Sequence, residues 1–573
     1  MKLTISKSKN AEQLYICKSV RVNKNKTTSQ IVRKLGTMAS LLPFHDNDRD
    51  KVIAWAREQA AIMTKEEKSS AMKVAIEVSE SILHKKGEQF RFNAGYLFLQ
   101  DIYSRLGLSD ICRQISGYTK TEYDLSDILA KLIYTRIIAP ASKLSSFGYA
   151  KNFVQQPGFD LHQIYRALDV LAEHSDMIQA ALYRNSLDVM ERDKGILYYD
   201  CTNYFFELEE AKGSRQYGKS KDHKPNPMIQ MGLFMDGSGL PLAFSMFPGN
   251  ENEQPSLKPL EKKILQDFGL SRFVVCTDAG LASGSNRRFN DISGRSYIVT
   301  QSLKTMKKHL QDWALDPSGW KTTGSDTLYD LGDIDEEINR QTIYFKERWI
   351  SENGLSQRLI VTYCVKYRDY LRGIRSTQIE RAEKIVKKGG RRKTSNPSSP
   401  ERFIAETAAT SDGEVAEKMA LNIDEDRIKN EEMFDGFYGV CTTLEDDVSS
   451  IISVNKRRWQ IEAAFRTMKT EFRARPVYLQ KDNRIEAHFL TCFISLLIMR
   501  ILEKELDETF TCEELIHTLR SMDLHKVKGF GYLSSYTRTS ITDALHEHFG
   551  FRTDTEFISD KSMKKILKKT ASH

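Results

Sequence analysis

Cysteine is scarce and scattered in this chain. Eight occur among 573 residues, at positions 17, 112, 201, 276, 364, 441, 492 and 512, with no C-x-x-C pair and no histidine grouped at zinc-ligand spacing. That excludes a disulfide framework and a zinc module, and points to reduced thiols in a cytoplasmic protein. Long apolar runs are missing as well. The longest, Phe489–Ile501, spans 13 residues and is interrupted by Arg500. It is too short to cross a bilayer, and a buried packing helix is expected there. The opening MKLTISKSKN has no apolar stretch of the kind a secretory signal needs. Internal repeats are absent, and the only low-complexity patch is the Lys/Arg-Gly run at 387–393.

The length is too great for a single hydrophobic core, so several domains are expected. With 40% hydrophobic and 28% charged residues, the composition fits a soluble globular protein. The formal net charge of +8 is modest, but it is unevenly spread. Residues 1–36 hold nine Lys and Arg against the single acid Glu12, and the stretch after Asp560 adds five lysines. Basic ends on a balanced body suit a polyanionic partner such as nucleic acid, and they equally suit solvated, unstructured termini.

In chain order, residues 1–45 read as a basic arm. Two β-rich runs flank the polar turn Asn23–Thr28, which predicts a hairpin with a basic tip. Residues 46–194 are helical in pattern, with a break near Gly107 and an acidic N-cap at Asp124. From 195 to 301 the pattern changes to short β-branched and aromatic runs: ILYYDCTNYFF, MIQMGLFMDGSG, LPLAFSMFPG, FVVCTDAG and SYIVTQS. The turn at Asp236 predicts an antiparallel hairpin, and helical segments flank the fourth run, so a mixed α/β sheet is expected. Residues 302–450 read as a β-rich insertion, 451–505 as two helices, and 506–573 as short helices with a basic tail.

Three acids attract attention. Asp200 and Asp278 each follow an apolar run, a place where sheet proteins often put their sites and where a turn residue is also common. Glu462 lies in VNKRRWQIEAAFRTMKTEF, Val454–Phe472, which predicts one uninterrupted helix with Ile461, Phe465, Met468 and Phe472 on its buried stripe. At 100° per residue Arg458, Glu462 and Lys469 fall within about 40° of each other, with Asn455 beside them, roughly 70° from that stripe. An ordinary i,i+4 pair on a solvated face accounts for Arg458 and Glu462 equally well. If the three acids converge, their all-oxygen donor set suits Mg2+ or Mn2+ and not zinc. Lys219, Lys221, His223 and Lys224 form a cationic loop between the first two runs, either solvated or in contact with DNA. Glu207, Asp222, Asp236 and Glu251 are competing acids, ranked lower because they sit in turns or loops.

The helix resembles the Y-x2-R-x3-E-x6-K signature of insertion-sequence transposases of the DDE class, in the IS-four-like group. Arg458, Glu462 and Lys469 match in type and spacing, while Asn455 stands where that family has Tyr. YYDCTNYFFE, VVCTDAGLA, SKDHKPNPMIQMGLF, LPLAFSMFPGNENE and RPVYLQKDNRIEAHFLTCFISLLI match further blocks in the same order, from about 195 to 500. The resemblance implies a multidomain α/β protein with a ribonuclease-H-like mixed sheet and a β-rich insertion, preceded by a β-hairpin and a helical DNA-binding region. It implies Asp200, Asp278 and Glu462 as catalytic ligands of two Mg2+ or Mn2+ ions. Asn455, Arg458, Lys469, Lys221 and His223 would contact DNA, and Trp313, Trp320 or Trp349 could hold an unstacked base. The implied activity is cut-and-paste transposition by a homodimer acting on terminal inverted repeats and target DNA, in the nucleoid of a prokaryotic cytoplasm. A nuclease on the same fold that lacks strand transfer, or a repressor without chemistry, would carry many of the same features.

Overall fold

The computed structural model describes the chain except for residues 9–10, 24–25, 71–73, 76–79, 82, 120, 293, 353, 390–398, 409–418 and 573. It divides into two compact units, Met1–Glu88 and Gln89–His573. In the first, strands β1 (Lys2–Ser8), β2 (Ala11–Asn23) and β3 (Lys26–Thr37) form an antiparallel sheet in that order. The expected hairpin is β2–β3, closed by the pair Asn23 and Lys26. Its tip residues Lys24 and Asn25 lie outside the described residues. The helix Arg49–Ser70 joins this sheet through a small core of Leu14, Met38, Val52 and Ala56. Residues 46–70 therefore belong with the arm and not with the helices that follow.

The second unit begins with β4 (Arg91–Asn93) and a set of helices. Gly107, at φ +64°, separates the helices Tyr96–Arg105 and Leu108–Thr119, and the Asp124 side chain accepts the Asp127 amide to start Leu125–Ile138. The main sheet contains β5 (Ile196–Phe205), β6 (Met228–Asp236), β7 (Pro241–Pro248), β8 (Phe273–Thr277), β9 (Arg295–Gln301), β10 (Lys321–Thr322), β11 (Tyr344–Glu352) and β12 (Leu355–Tyr363). A separate two-stranded ribbon, β13 (Ile404–Ala408) and β14 (Met419–Ile423), precedes its last member, β15 (Phe437–Thr442). The order is β10-β11-β12-β15-β9-β8-β5-β6-β7, with β5, β8 and β9 parallel and the remaining pairs antiparallel. Four strands of 302–450, β10, β11, β12 and β15, thus extend this one sheet from its β9 edge, because β15 pairs directly with β9.

Two-residue alternation decides which side chains face which layer. Tyr198, Tyr204, Met231 and Cys276 join the core formed with the helices Val448–Lys456, Trp459–Lys469 and Asp482–Glu505. Leu197, Tyr199 and Cys201 point the other way, onto Leu257–Asp267. Asp482–Glu505 is apolar and long enough to span a bilayer, yet it is almost wholly buried by protein, in keeping with a core helix. The C-terminal region, expected to be helical, also supplies β16 (Asp523–Val527), β17 (Gly531–Ser534) and β18 (Phe557–Ser559), which pair in the order β18-β17-β16-β4. Each is only three to five residues long, too short for alternation to stand out. The last lysines lie on an amphipathic helix, Asp560–Ala571, seated by Met563 and Ile566.

One buried acid makes the stability of this unit pH-dependent. Glu261 is fully enclosed, accepts from Asn290 Nδ2 at 3.1 Å and lies 3.6 Å from Arg295. Burial outweighs both and pushes its pKa up to about 7. A carboxyl raised in the folded state favours folding below its unfolded pKa, and that contribution fades as pH rises through 7. Glu261→Gln is therefore expected to flatten the fall in Tm between pH 5 and 8, a difference on the order of 3 kcal/mol at most. Thermal melts of the two proteins across that range would check it.

Candidate functional site

Parallel pairing of β5 with β8 brings two of the three acids together. Tyr198 lies opposite Cys276 at the last β5–β8 pair, and Asp200 and Asp278 each lie two residues beyond it, near enough for the Asp278 charge to act on Asp200. Asp278 follows β8 directly and caps the short turn Ala279–Leu281, accepting the Leu281 amide at 3.1 Å. Asp200 does not end its strand as expected. It sits mid-strand, because β5 runs on to Phe205 while β8 stops at Thr277. By alternation it shares a face with Tyr198, whose hydroxyl donates to the Val454 carbonyl at 3.1 Å. That is the face covered by the Glu462 helix.

Burial pushes the Asp200 carboxyl up to about 6, Lys221 and Arg458 pull against that, and the Asp278 charge adds to it. The cationic loop is tied down beside this acid. The Lys221 ammonium donates to the Cys201 carbonyl at 2.5 Å and pairs with Glu253 at 2.8 Å. The side-chain amide of Asn203 donates to the Lys219 carbonyl and its oxygen accepts the Lys221 amide. Glu253, from FPGNENEQ, was not singled out in the sequence. An acid in a polar loop gives no signal until the fold sets a lysine beside it. His223 is exposed at φ +54°, and Lys224 lies over the Phe205 ring.

This loop packs so closely that it has no room for side chains at two glycines. A Cβ on Gly249 would fall 2.1 Å from the Met228 carbonyl oxygen, and one on Gly218 would fall 1.9 Å from the Gly249 oxygen. Gly249→Ala is expected to lift residues 214–221 off the sheet. The consequence would be new protease cleavage in that loop, read by limited proteolysis.

The expected single helix Val454–Phe472 is two. Val448–Lys456 ends at a tight turn, where the Arg458 amide donates to Asn455 O at 3.3 Å, and Trp459–Lys469 starts with Arg458 as its N-cap. No proline or glycine marks this bend, so periodicity alone could not locate it. Asn455 thus lies on the first of the two helices, and it lines one cavity with Arg458 and Glu462. It is buried, donates to the Tyr438 hydroxyl at 3.0 Å and accepts from the Cys276 thiol at 3.8 Å. Tyr438 also shares a hydrogen bond with Thr300 at 2.7 Å, and Arg458 donates to Thr300 at 3.4 Å. The apolar stripe forms as expected, with Ile461, Phe465, Met468 and Phe472 all buried.

Glu462 pairs with Arg458 at 3.7 Å and its side chain is 56% exposed. Among the described residues, no three Asp, Glu, His or Cys side chains are already gathered closely enough to hold a metal ion. Lys469 lies 3.8 Å from Asp222, which also pairs with Arg475, and burial lowers the lysine's pKa. Of the competing acids, Asp236 is buried against Arg192 at 2.5 Å, while Glu207 and Glu251 are exposed. A cavity of about 500 Å3 opens beside Glu462, lined by Tyr367, Tyr438, Asn455, Arg458 and Trp459 among others. Trp320 is fully buried, Trp313 is half-buried beneath Lys346 and Arg348, and Trp349 is 48% exposed on β11.

The family described as "Transposase DDE domain" matches residues 205–498. The chain belongs to this transposase family. A solved piggyBac transposase synaptic complex with hairpin DNA is similar at a TM-score of 0.34 and 8% identity, over 87% of this chain and 80% of that one. No curated protein matches the chain. The family match spans β6 to β9, the strands of 302–450, and the Glu462 and closing helices, so this transposase carries its family signature on the main sheet and the layer that covers it.

Proposed function

We propose that this chain is a cut-and-paste DNA transposase of the IS-four-like group, with a ribonuclease-H-like core and Asp200, Asp278 and Glu462 as its catalytic acids. The observation that supports the reading is the parallel β5–β8 pair, beyond whose last partners Asp200 and Asp278 each lie two residues on, with the Asp278 charge acting on the buried Asp200 carboxyl. The donors are oxygen only, and Asp200 is a buried carboxyl whose neighbour Asp278 shares its charge. That environment favours a hard divalent cation, and the three acids would hold two Mg2+ or Mn2+ ions, with Glu462 turning from Arg458 to join them. Such ions, when bound, activate a water or a 3′-hydroxyl and neutralise the leaving oxygen.

The chain's own groups position DNA around this centre. Arg458, released from Glu462, offers a bidentate fork to a phosphate, and Lys469 and Lys221 offer point charges on either side of Asp200. His223 and Lys224 extend the same cationic rim. Asn455 is assigned a supporting role, since its amide is engaged with Tyr438 and Cys276. The substrates would be terminal inverted repeats and target DNA, brought together by a homodimer.

The deciding experiment is strand transfer with pre-cut ends in Mg2+. Joining of the 3′-hydroxyl to target DNA is expected. Nicking without joining would instead assign a nuclease, and neither activity would leave only a DNA-binding protein.

A further inference from the structure

Positive charge gathers at a second place in the second unit, around a recess lined by basic side chains. A cavity of about 810 Å3 sits between the start of the helix Lys143–Ala150 and the segment 473–484, and its lining includes Arg136, Lys143, Arg473, Arg475, Lys481 and Arg484. No Asp or Glu among the described residues lines it. The two acids at its margin are already engaged, Asp169 by Arg484 at 2.8 Å and Asp222 by Arg475.

Lys143 is the residue that makes this more than a basic surface. The residue is only 5% exposed and lines the cavity, and among the described residues no hydrogen bond or ion pair engages its ammonium. Arg136, equally buried, donates to the Phe472 and Ala141 carbonyls while its Nε stays unpaired. The His488 ring is spent on the Ala474 carbonyl at 3.2 Å. Burial, with the Arg136 charge beside it, pushes the Lys143 pKa down to about 7. A buried ammonium without a partner is strongly unfavourable unless something anionic completes it.

We propose that this cavity binds a phosphate group, with Lys143 at its floor and Lys481 at its rim. The volume exceeds what a lone phosphate fills, so the group arrives attached to something larger, either a DNA strand or a free phosphate-bearing ligand. Tyr165 and Tyr478, also in the lining, supply ring faces for the remainder. The recess holds its ammonium below the surface, which suits a strand end or a sharply turned backbone better than a continuous duplex. This inference stands on charge and burial and does not depend on the three acids being catalytic.

Thermal melts in inorganic phosphate against chloride at matched ionic strength test it. Phosphate is expected to raise the Tm of the unaltered chain. Lys143→Met is expected to melt higher than the unaltered chain in chloride, since an unpaired buried charge is gone, and to show at least tenfold weaker response to phosphate. Lys481→Met, at an exposed position whose side chain makes no cap hydrogen bond, should change the chloride Tm little and also weaken the response. The inference is overturned if the unaltered chain ignores phosphate, if Lys143→Met responds equally, or if Lys143→Met melts lower in chloride. Competition between inorganic phosphate and a 5′-phosphorylated oligonucleotide, absent with its 5′-hydroxyl counterpart, assigns the group to a strand end. Competition by both assigns it to the backbone, and by neither to a free ligand. DNA cleavage is not read in any arm, so a failure of the transposase reading leaves the result intact.

Discussion

Asp200→Asn and Asp278→Asn are each expected to lower cleavage of transposon ends by about a thousand-fold or more, without loss of fold. The change keeps shape and removes charge, so it acts on ion binding before it acts on packing. For Asp200 the fold should gain. Its carboxyl is buried and pushed up to about 6, so holding it ionised at neutral pH opposes folding by an amount on the order of 1–3 kcal/mol. Asp200→Asn is accordingly expected to melt higher than the unaltered chain in the absence of divalent ions, and to show none of the Tm rise expected of the unaltered chain in Mg2+. Residual end cleavage within tenfold of the unaltered chain would remove Asp200 from the chemistry. Glu462→Gln should abolish cleavage too but leave Tm nearly unchanged, because that side chain is more than half exposed and its pair with Arg458 is worth at most about 0.5 kcal/mol.

The different standing of these acids explains how much of the candidate site could be read from the sequence. Asp278 was legible because an apolar run ending in Asp-Ala-Gly has to stop, and the structure ends β8 at Thr277. Asp200 was found for the same reason but misplaced, since CTNYF continues the β5 alternation and keeps it in the strand. The buried stripe of the Glu462 helix followed from periodicity alone. Its bend at Arg457–Arg458 did not, because the sequence there contains ordinary helix-forming residues and the turn is closed by backbone bonds. Long-range pairing was also hidden. Nothing in FYGVCTT states that it will pair with SYIVT some 140 residues earlier, so four strands of 302–450 read as an interruption when they lengthen the main sheet. Glu253, Tyr438 and Lys143 share this difficulty, since each draws its meaning from a neighbour far away in the chain.

Arg192→Leu is expected to destabilise the second unit by about 3–5 kcal/mol, the largest loss anticipated for any single change away from the acids. The guanidinium is fully buried, and so is the carboxylate it meets, Asp236 at the end of β6. Its Nε donates to Asp236 at 2.5 Å, one terminal nitrogen to Ser186 at 2.8 Å, and the other to the Leu240 and Pro241 carbonyls. Asp236 accepts the Leu240 amide as well, so the pair closes the β6–β7 turn from within. Asp193, the next residue, donates its amide to Ser238 and its carbonyl accepts the Gly237 amide. The chain is thereby fixed at the sheet three residues before β5 begins, and β5 is the strand that carries Asp200. Removing the arginine leaves a buried carboxylate, which burial already raises in pKa despite its partner, with only the Leu240 and Ser238 amides to offset it. The double change Arg192→Leu with Asp236→Leu removes both charges, and it should recover part of the loss by chemical denaturation. If the two single losses simply add, the pair is not coupled and the turn is held by its backbone bonds alone.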